Sequence, residues 1–373
     1  MTPPRTTKVV LALLLAGFAH LPSVAGEKGS GEAGIQSKEF LTAVHFIDAK
    51  YKSMQGPFTS QRVFLVDAPS RELLWMTGFE TAMVDQSGTE PISQEFLCHS
   101  NLDLFPDVHE KALGLPARPF SKRVFTNSQG FQAIRFPQGF GVPIASDEPL
   151  LLSSQVVNHN VENARLKVRQ KITVQFARDS DLDQPMKPLF QAQAMVMVSL
   201  EGHEAYVGTQ DPSEQLHGAS CIVGEAAGGP LAAHKGLVED SLGQKFTAHW
   251  VIGKGRSSFR TLVTEPLGLQ FDTTIHYIAV HLHPFAESVE LRDLTADKSL
   301  FRSQASNLRG KVGLDHVEAF SSVEGIPMFK DHDYELVTVY NNTTEEKQDS
   351  MAVMFLYLLD KEFRREAILA SGG

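Results

Sequence analysis

From Phe40 onward, short runs of alternating apolar and polar residues outnumber stretches with helical spacing. They fall at Arg62 to Val66, Leu73 to Gly78, Leu150 to Val157, Ala164 to Gln175 and Ala192 to Leu200. The style resumes at Lys245 to Ile252, Ser258 to Val263, Thr274 to His283, Tyr334 to Tyr340 and Met351 to Leu358. Gly, Pro, Asn and Asp punctuate them. A period of two places alternate side chains on opposite faces, and many such segments with close turns predict an all-β fold of sandwich or jelly-roll type.

With 373 residues the chain is too long for one sandwich, and each half is of single-sandwich size. The expectation is two tandem jelly-roll β-sandwich domains, over residues 39–201 and 202–362. A boundary falls where the strand ending at Leu200 gives way to the polar stretch beginning Glu201-Gly202-His203-Glu204. The Gly- and Ala-rich run Gly224 to Gly236 has no periodicity and reads as a surface excursion. Residues 363–373 read as a short helical or disordered tail.

The first 25 residues differ from the rest. Arg5 and Lys8 precede the apolar run Val9 to Ala19, which ends in Ser23-Val24-Ala25, the pattern of a secretory signal peptide removed near Ala25. Residues 26–38 read as a disordered lead-in. The expected location is secreted or periplasmic, without membrane insertion, since no later run approaches the ~20 apolar residues of a span. A formal net charge of −10, with both signs mixed along the chain, leaves no basic stripe for nucleic acid.

The candidate chemistry lies on the strand Tyr277 to His283. If Ile278, Val280 and Leu282 face a core, His281 and His283 project together from the other face, and Met351 opens a later apolar strand. Two imidazoles and a thioether form a soft set suited to Cu(I), although a His-x-His pair is equally compatible with an ordinary polar face. Cys98 and Cys221 could form a disulfide, or Cys98 could be a ligand or thiol beside His99. His249 reads as a structural residue before the turn-like Gly253-Lys254-Gly255. His109 is a substitute first-domain ligand and Met354 a substitute thioether. No Gly-x-Ser-x-Gly elbow, phosphate-binding glycine loop or His-Glu-x-x-His is present.

Several segments, taken in order, resemble the type II copper, ascorbate-dependent monooxygenases. They are Gly78-Phe79-Glu80, Cys98-His99, Val157-Asn158-His159, Met195 to Ser199, Val280-His281-Leu282-His283 and Asp349-Ser350-Met351 followed by Phe355-Leu356-Tyr357. The resemblance runs from about Phe40 to Leu359. It implies two sandwiches, each with one copper, facing each other across an open cleft. His281, His283 and Met351 would form the catalytic copper site. Cys98, His99 and His159 would hold an electron-storing copper, if that site keeps its metal. The implied activity is hydroxylation of a C–H bond with O₂, with ascorbate or a similar reductant supplying electrons. The positions where the peptidylglycine members clamp a substrate carboxylate are here Ala279, Val353 and Phe355. With no guanidinium, amide or phenol there, the expected substrate is small and apolar or neutral. The alternative is a non-catalytic periplasmic protein that binds copper or a partner on the same scaffold.

Overall fold

A computed structural model describes residues 34–68, 70–114, 121–206 and 237–370. Sixteen strands carry the architecture. In the first half they are β1 (Ile35–Leu41), β2 (Phe58–Val63), β3 (Leu73–Asp85), β4 (Leu97–Asp103), β5 (Arg123–Ser128), β6 (Phe140–Ala145), β7 (Leu150–Val156) and β8 (Leu166–Arg178). In the second half they are β9 (Lys187–Met195), β10 (Gly255–Leu262), β11 (Thr273–Leu282), β12 (Ala286–Asp293), β13 (Lys298–Asn307), β14 (Phe320–Met328), β15 (Tyr334–Asn342) and β16 (Ala352–Leu359).

The first half forms one sheet in the order β1-β8-β3-β6 and another in the order β2-β7-β4-β5. The second half repeats the pattern as β9-β16-β11-β14 and β10-β15-β12-β13. Eight strands dealt in this way between two sheets are a jelly roll, so the chain is all-β with two jelly rolls in tandem. They are not separate bodies. β6 pairs in parallel with β9, joining one sheet of each half edge to edge, and the described residues form one compact unit.

Burial follows from this fusion. β16 lies between β9 and β11 near the middle of the joined sheet, and Ala352 to Leu358 are all buried, which explains its uninterrupted apolar sequence. In the first sandwich Phe79 of β3 stacks on Phe125 of β5 at 5.3 Å. In the second, the Tyr340 hydroxyl of β15 donates to the Met351 carbonyl.

One expectation shifts. β1 begins at Ile35 and pairs with β8 from Ile35↔Ala177, so the end of the supposed lead-in is ordered sheet. β4 and β5 are polar yet wholly buried, because most of their polar side chains find internal partners. Ser100 donates to Gln170, and the Asn127 amide donates to the Phe79 and Gln132 carbonyls. The tail forms a helix over Arg365–Ala370, anchored by Arg365 on Asp179. The signal peptide, Cys221 and the Gly224 to Gly236 excursion lie outside the described residues.

Candidate metal centre

β11 ends at Leu282, and its ladder with β16 pairs His281 with Val353 and Leu282 with Ala352. Continued by one residue, that ladder sets His283 opposite Met351. Alternation puts His281 and His283 on one face, as expected, with their rings 5.2 Å apart. Tyr340 locks this end of the sheet, because its hydroxyl accepts from the His283 N–H as well as donating to the Met351 carbonyl.

The donors that converge differ from the expected set. The His283 Nδ1 lies 2.8 Å from Asp349 Oδ2 and 3.3 Å from His249 Nε2, and that Nε2 is 3.6 Å from the same carboxylate oxygen. Asp349 arrives on the short strand Gln348–Ser350, which pairs with Trp250–Ile252 immediately after His249. Thr247 Oγ1 fixes the His249 backbone by donating to its carbonyl and accepting from its N–H. The group holds a carboxylate two residues before Met351, and His249, read as structural, joins it. The side chains of Met351 and Met354 belong to the hydrophobic core.

The spacing of these atoms fits one small ion. A point in their plane equidistant from all three lies about 1.9 Å from each. Donors at this spacing would admit an ion at the ~2.0–2.2 Å usual for imidazole and carboxylate ligands to zinc. Two imidazoles and a carboxylate suit copper(II), zinc or iron(II) and are harder than the soft set read from the sequence.

Electrostatics favour metal-ready protonation states. Burial pushes the Asp349 carboxyl up, but the neighbouring His249 and His283 hold it well below the usual carboxylate range. Burial, reinforced by His283, lowers His249 to about 4 against the pull of Asp349. Burial is also the main force holding His281 well below its ordinary value, with the charges of His283, His99, His249 and Arg123 adding to it. His281 is only 8% exposed, and its Nδ1 has no hydrogen-bond partner among the described residues. A buried orphan nitrogen beside three convergent donors is a polar atom still in need of a ligand.

Both halves build the centre. The turn after Tyr51 sends Ser53 Oγ to 3.4 Å from His283 Nδ1 and Met54 Sδ to 2.8 Å from His249 Nδ1. Met54 has a left-handed backbone (φ 65°), which costs a non-glycine residue on the order of 1–2 kcal/mol. Gly56 lets the turn press against β7, since a Cβ there would stand 1.9 Å from the Val156 carbonyl oxygen. No sequence period marks Ser53 or Met54. They become visible only when the turn is packed.

Among the described residues, the expected first-domain set forms no second group of three His, Cys or carboxylate donors. Cys98 and His99 are buried on β4, and His159 is half-buried after β7. His159 is lowered to about 4, chiefly by burial, and feels Asp349 and His283, while the charge of His99 reaches His281. His99 and His159 therefore lie within reach of the charges at the centre. His109 pairs with Glu148 at 2.7 Å, and His45 contacts Ser154.

No family model matches the chain, and no curated protein matches it. Among solved structures, PBCV-1 VP54, fitted into a reconstruction of the virophage Sputnik, aligns over 89% of this chain and 96% of its own at 8% identity and a TM-score of 0.28. PNGase F, a glycosylasparaginase from Flavobacterium meningosepticum, aligns over 88% and 98% at 7% identity and a TM-score of 0.33. The STIV major capsid protein aligns over 86% and 97% at 6% identity and a TM-score of 0.28. Scores of this size carry no argument about fold or function. The fold assignment rests on the strand order.

Proposed function

We propose that this chain is a metalloprotein that binds one transition-metal ion through His249, His283 and Asp349, and that its activity is a copper-dependent oxidation of a small molecule by O₂. The observation that carries the reading is the triangle of donor atoms beside the orphan Nδ1 of His281. Copper stands first because divalent first-row ions bind a given nitrogen and oxygen site most tightly at copper. The resemblance to the ascorbate-dependent monooxygenases supplies the chemistry. One oxygen atom of O₂ enters a C–H bond to give an alcohol, the other leaves as water, and ascorbate or a similar reductant gives two electrons with two protons. Bound copper would supply the redox step. The chain's own part is to hold three ligands, keep Asp349 ionised and His249 neutral, and restrict access by burial.

A small neutral substrate suits the site. Ala279, Val353 and Phe355 are buried apolar side chains and offer no hydrogen bond to a carboxylate. Export rests on the leader-like first 25 residues alone, and among the described residues no helix is long and apolar enough to cross a membrane.

A second reading is a periplasmic protein that holds copper without turnover. The burial of every donor favours it, since His249, His283 and Asp349 are each at most 5% exposed. Ascorbate-driven O₂ uptake by the copper-loaded chain separates the two. Uptake abolished by Asp349→Ala supports the monooxygenase reading. Tight copper binding with no uptake above free copper would leave only the binding protein.

A further inference from the structure

We propose that Met54 is a positioning residue for the metal, its thioether fixing the tautomer of His249. The inference rests on the reading that His249, His283 and Asp349 bind an ion. A neutral imidazole carries one N–H, and the group facing one ring nitrogen decides whether the other is free to ligate. A thioether sulfur can only accept. With Sδ 2.8 Å from Nδ1, the proton of His249 belongs on Nδ1, and Nε2 presents its lone pair to the triangle. The opposite side is compatible: in the metal-free chain His283 Nδ1 has its shortest contact with Asp349 Oδ2 and donates there, a proton that must move to its Nε2 when Nδ1 takes the ion, and the His249 Nε2 lone pair faces it at 3.3 Å. The Tyr206 ring meets the His249 ring edge-on at 5.0 Å and helps clamp it.

Turn chemistry alone does not ask for methionine here. At φ 65° glycine or asparagine is the undemanding choice, yet the position carries a long side chain that is 9% exposed and ends on a ligand. The same turn holds Ser53 near His283, and the Ser53 carbonyl accepts from Tyr206. The first jelly roll thereby orients ligands that the second one supplies.

The test compares Met54→Leu, which keeps the bulk and removes the acceptor, with Met54→Gln, which restores one. In metal-free protein, long-range proton–nitrogen correlations of the imidazoles report the His249 tautomer directly. Copper(II) affinity is then measured by chelator competition. Wild type should show Nδ1–H. Met54→Leu should lose that preference and weaken copper binding by about 10–100-fold. Met54→Gln should keep the tautomer and recover most of the affinity. A Met54→Leu chain with the Nδ1–H form and wild-type affinity would overturn the proposal, as would equal losses in both variants, which would assign Met54 to packing alone. If Met54→Leu fails to fold, the Met54→Gln tautomer decides: Nδ1–H supports the role and Nε2–H refutes it. Should wild type bind no copper while Met54→Leu still switches the tautomer, the metal reading falls and Met54's hold on His249 stands.

Discussion

Two buried histidine–carboxylate pairs lie in this chain at nearly the same distance, His283 with Asp349 at 2.8 Å and His109 with Glu148 at 2.7 Å. Their surroundings differ. The second oxygen of Glu148 accepts the Ala145 N–H and closes the turn between β6 and β7, so that carboxylate serves the backbone. Asp349 Oδ2 instead faces a second imidazole, and the two rings it meets carry a hydroxyl against His283 and a thioether against His249, with the His281 ring 5.2 Å from that of His283. Pairing and burial alone do not mark a site. Convergence of further donors does.

The sharpest break between the two pairs should come from metal binding. His283→Ala or His249→Ala should reduce bound copper(II) from one ion per chain to none, whereas His109→Ala should leave the count at one, as read by elemental analysis after dialysis. Loss of copper from His109→Ala would erase the distinction. Stability should invert the ranking. Glu148→Ala strips a buried partner from His109 and from the turn, and should cost on the order of 3–5 kcal/mol in urea unfolding without touching the ion.

Acid should act on the centre next. Burial holds His45, His159 and His249 at about 4 in the folded chain, against about 6.5 when unfolded. The unfolded state therefore takes up protons first as pH falls. The stability these residues protect is complete above about pH 6.5 and is lost progressively towards pH 4. Copper affinity should hold through most of that window and fall only as pH approaches about 4, where folded His249 takes up its proton, because ligation needs the neutral ring. A urea midpoint that stays flat from pH 7 to 4 would contradict this. The smallest effect belongs to the supporting turn. Gly56→Ala forces the turn off the Val156 carbonyl and should weaken copper binding by about tenfold with no loss of stoichiometry, readable by chelator competition.

Much of the architecture is legible in the sequence, because exposed strand faces alternate and turns are punctuated. Where side chains break the link between polarity and exposure, the reading fails. β4 (Leu-Cys-His-Ser-Asn-Leu-Asp) is buried throughout, since its polar side chains bond to side chains of neighbouring strands, Ser100 to Gln170, Asn101 to Ser153 and Thr126, and Asp103 to Arg123. β13 and β14 hide for the opposite reason: most of their residues are at least partly exposed, so the apolar stripe is faint. At the centre, His281 and His283 follow from a period of two. His249 and Asp349 do not, because they meet through the pairing of Trp250–Ile252 with Gln348–Ser350, segments far apart in the chain. Met54 comes from still further away and is fixed by packing alone.

The central claim is that Asp349, and not Met351, completes the ligand set with His249 and His283. The direct test is the copper bound per chain, loaded as copper(II) in air and as copper(I) under argon, in wild type, Asp349→Ala and Met351→Leu. One ion in wild type and Met351→Leu, and none in Asp349→Ala, is the expected result. Copper retained by Asp349→Ala but lost from Met351→Leu would contradict it and return the site to the soft set of His281, His283 and Met351.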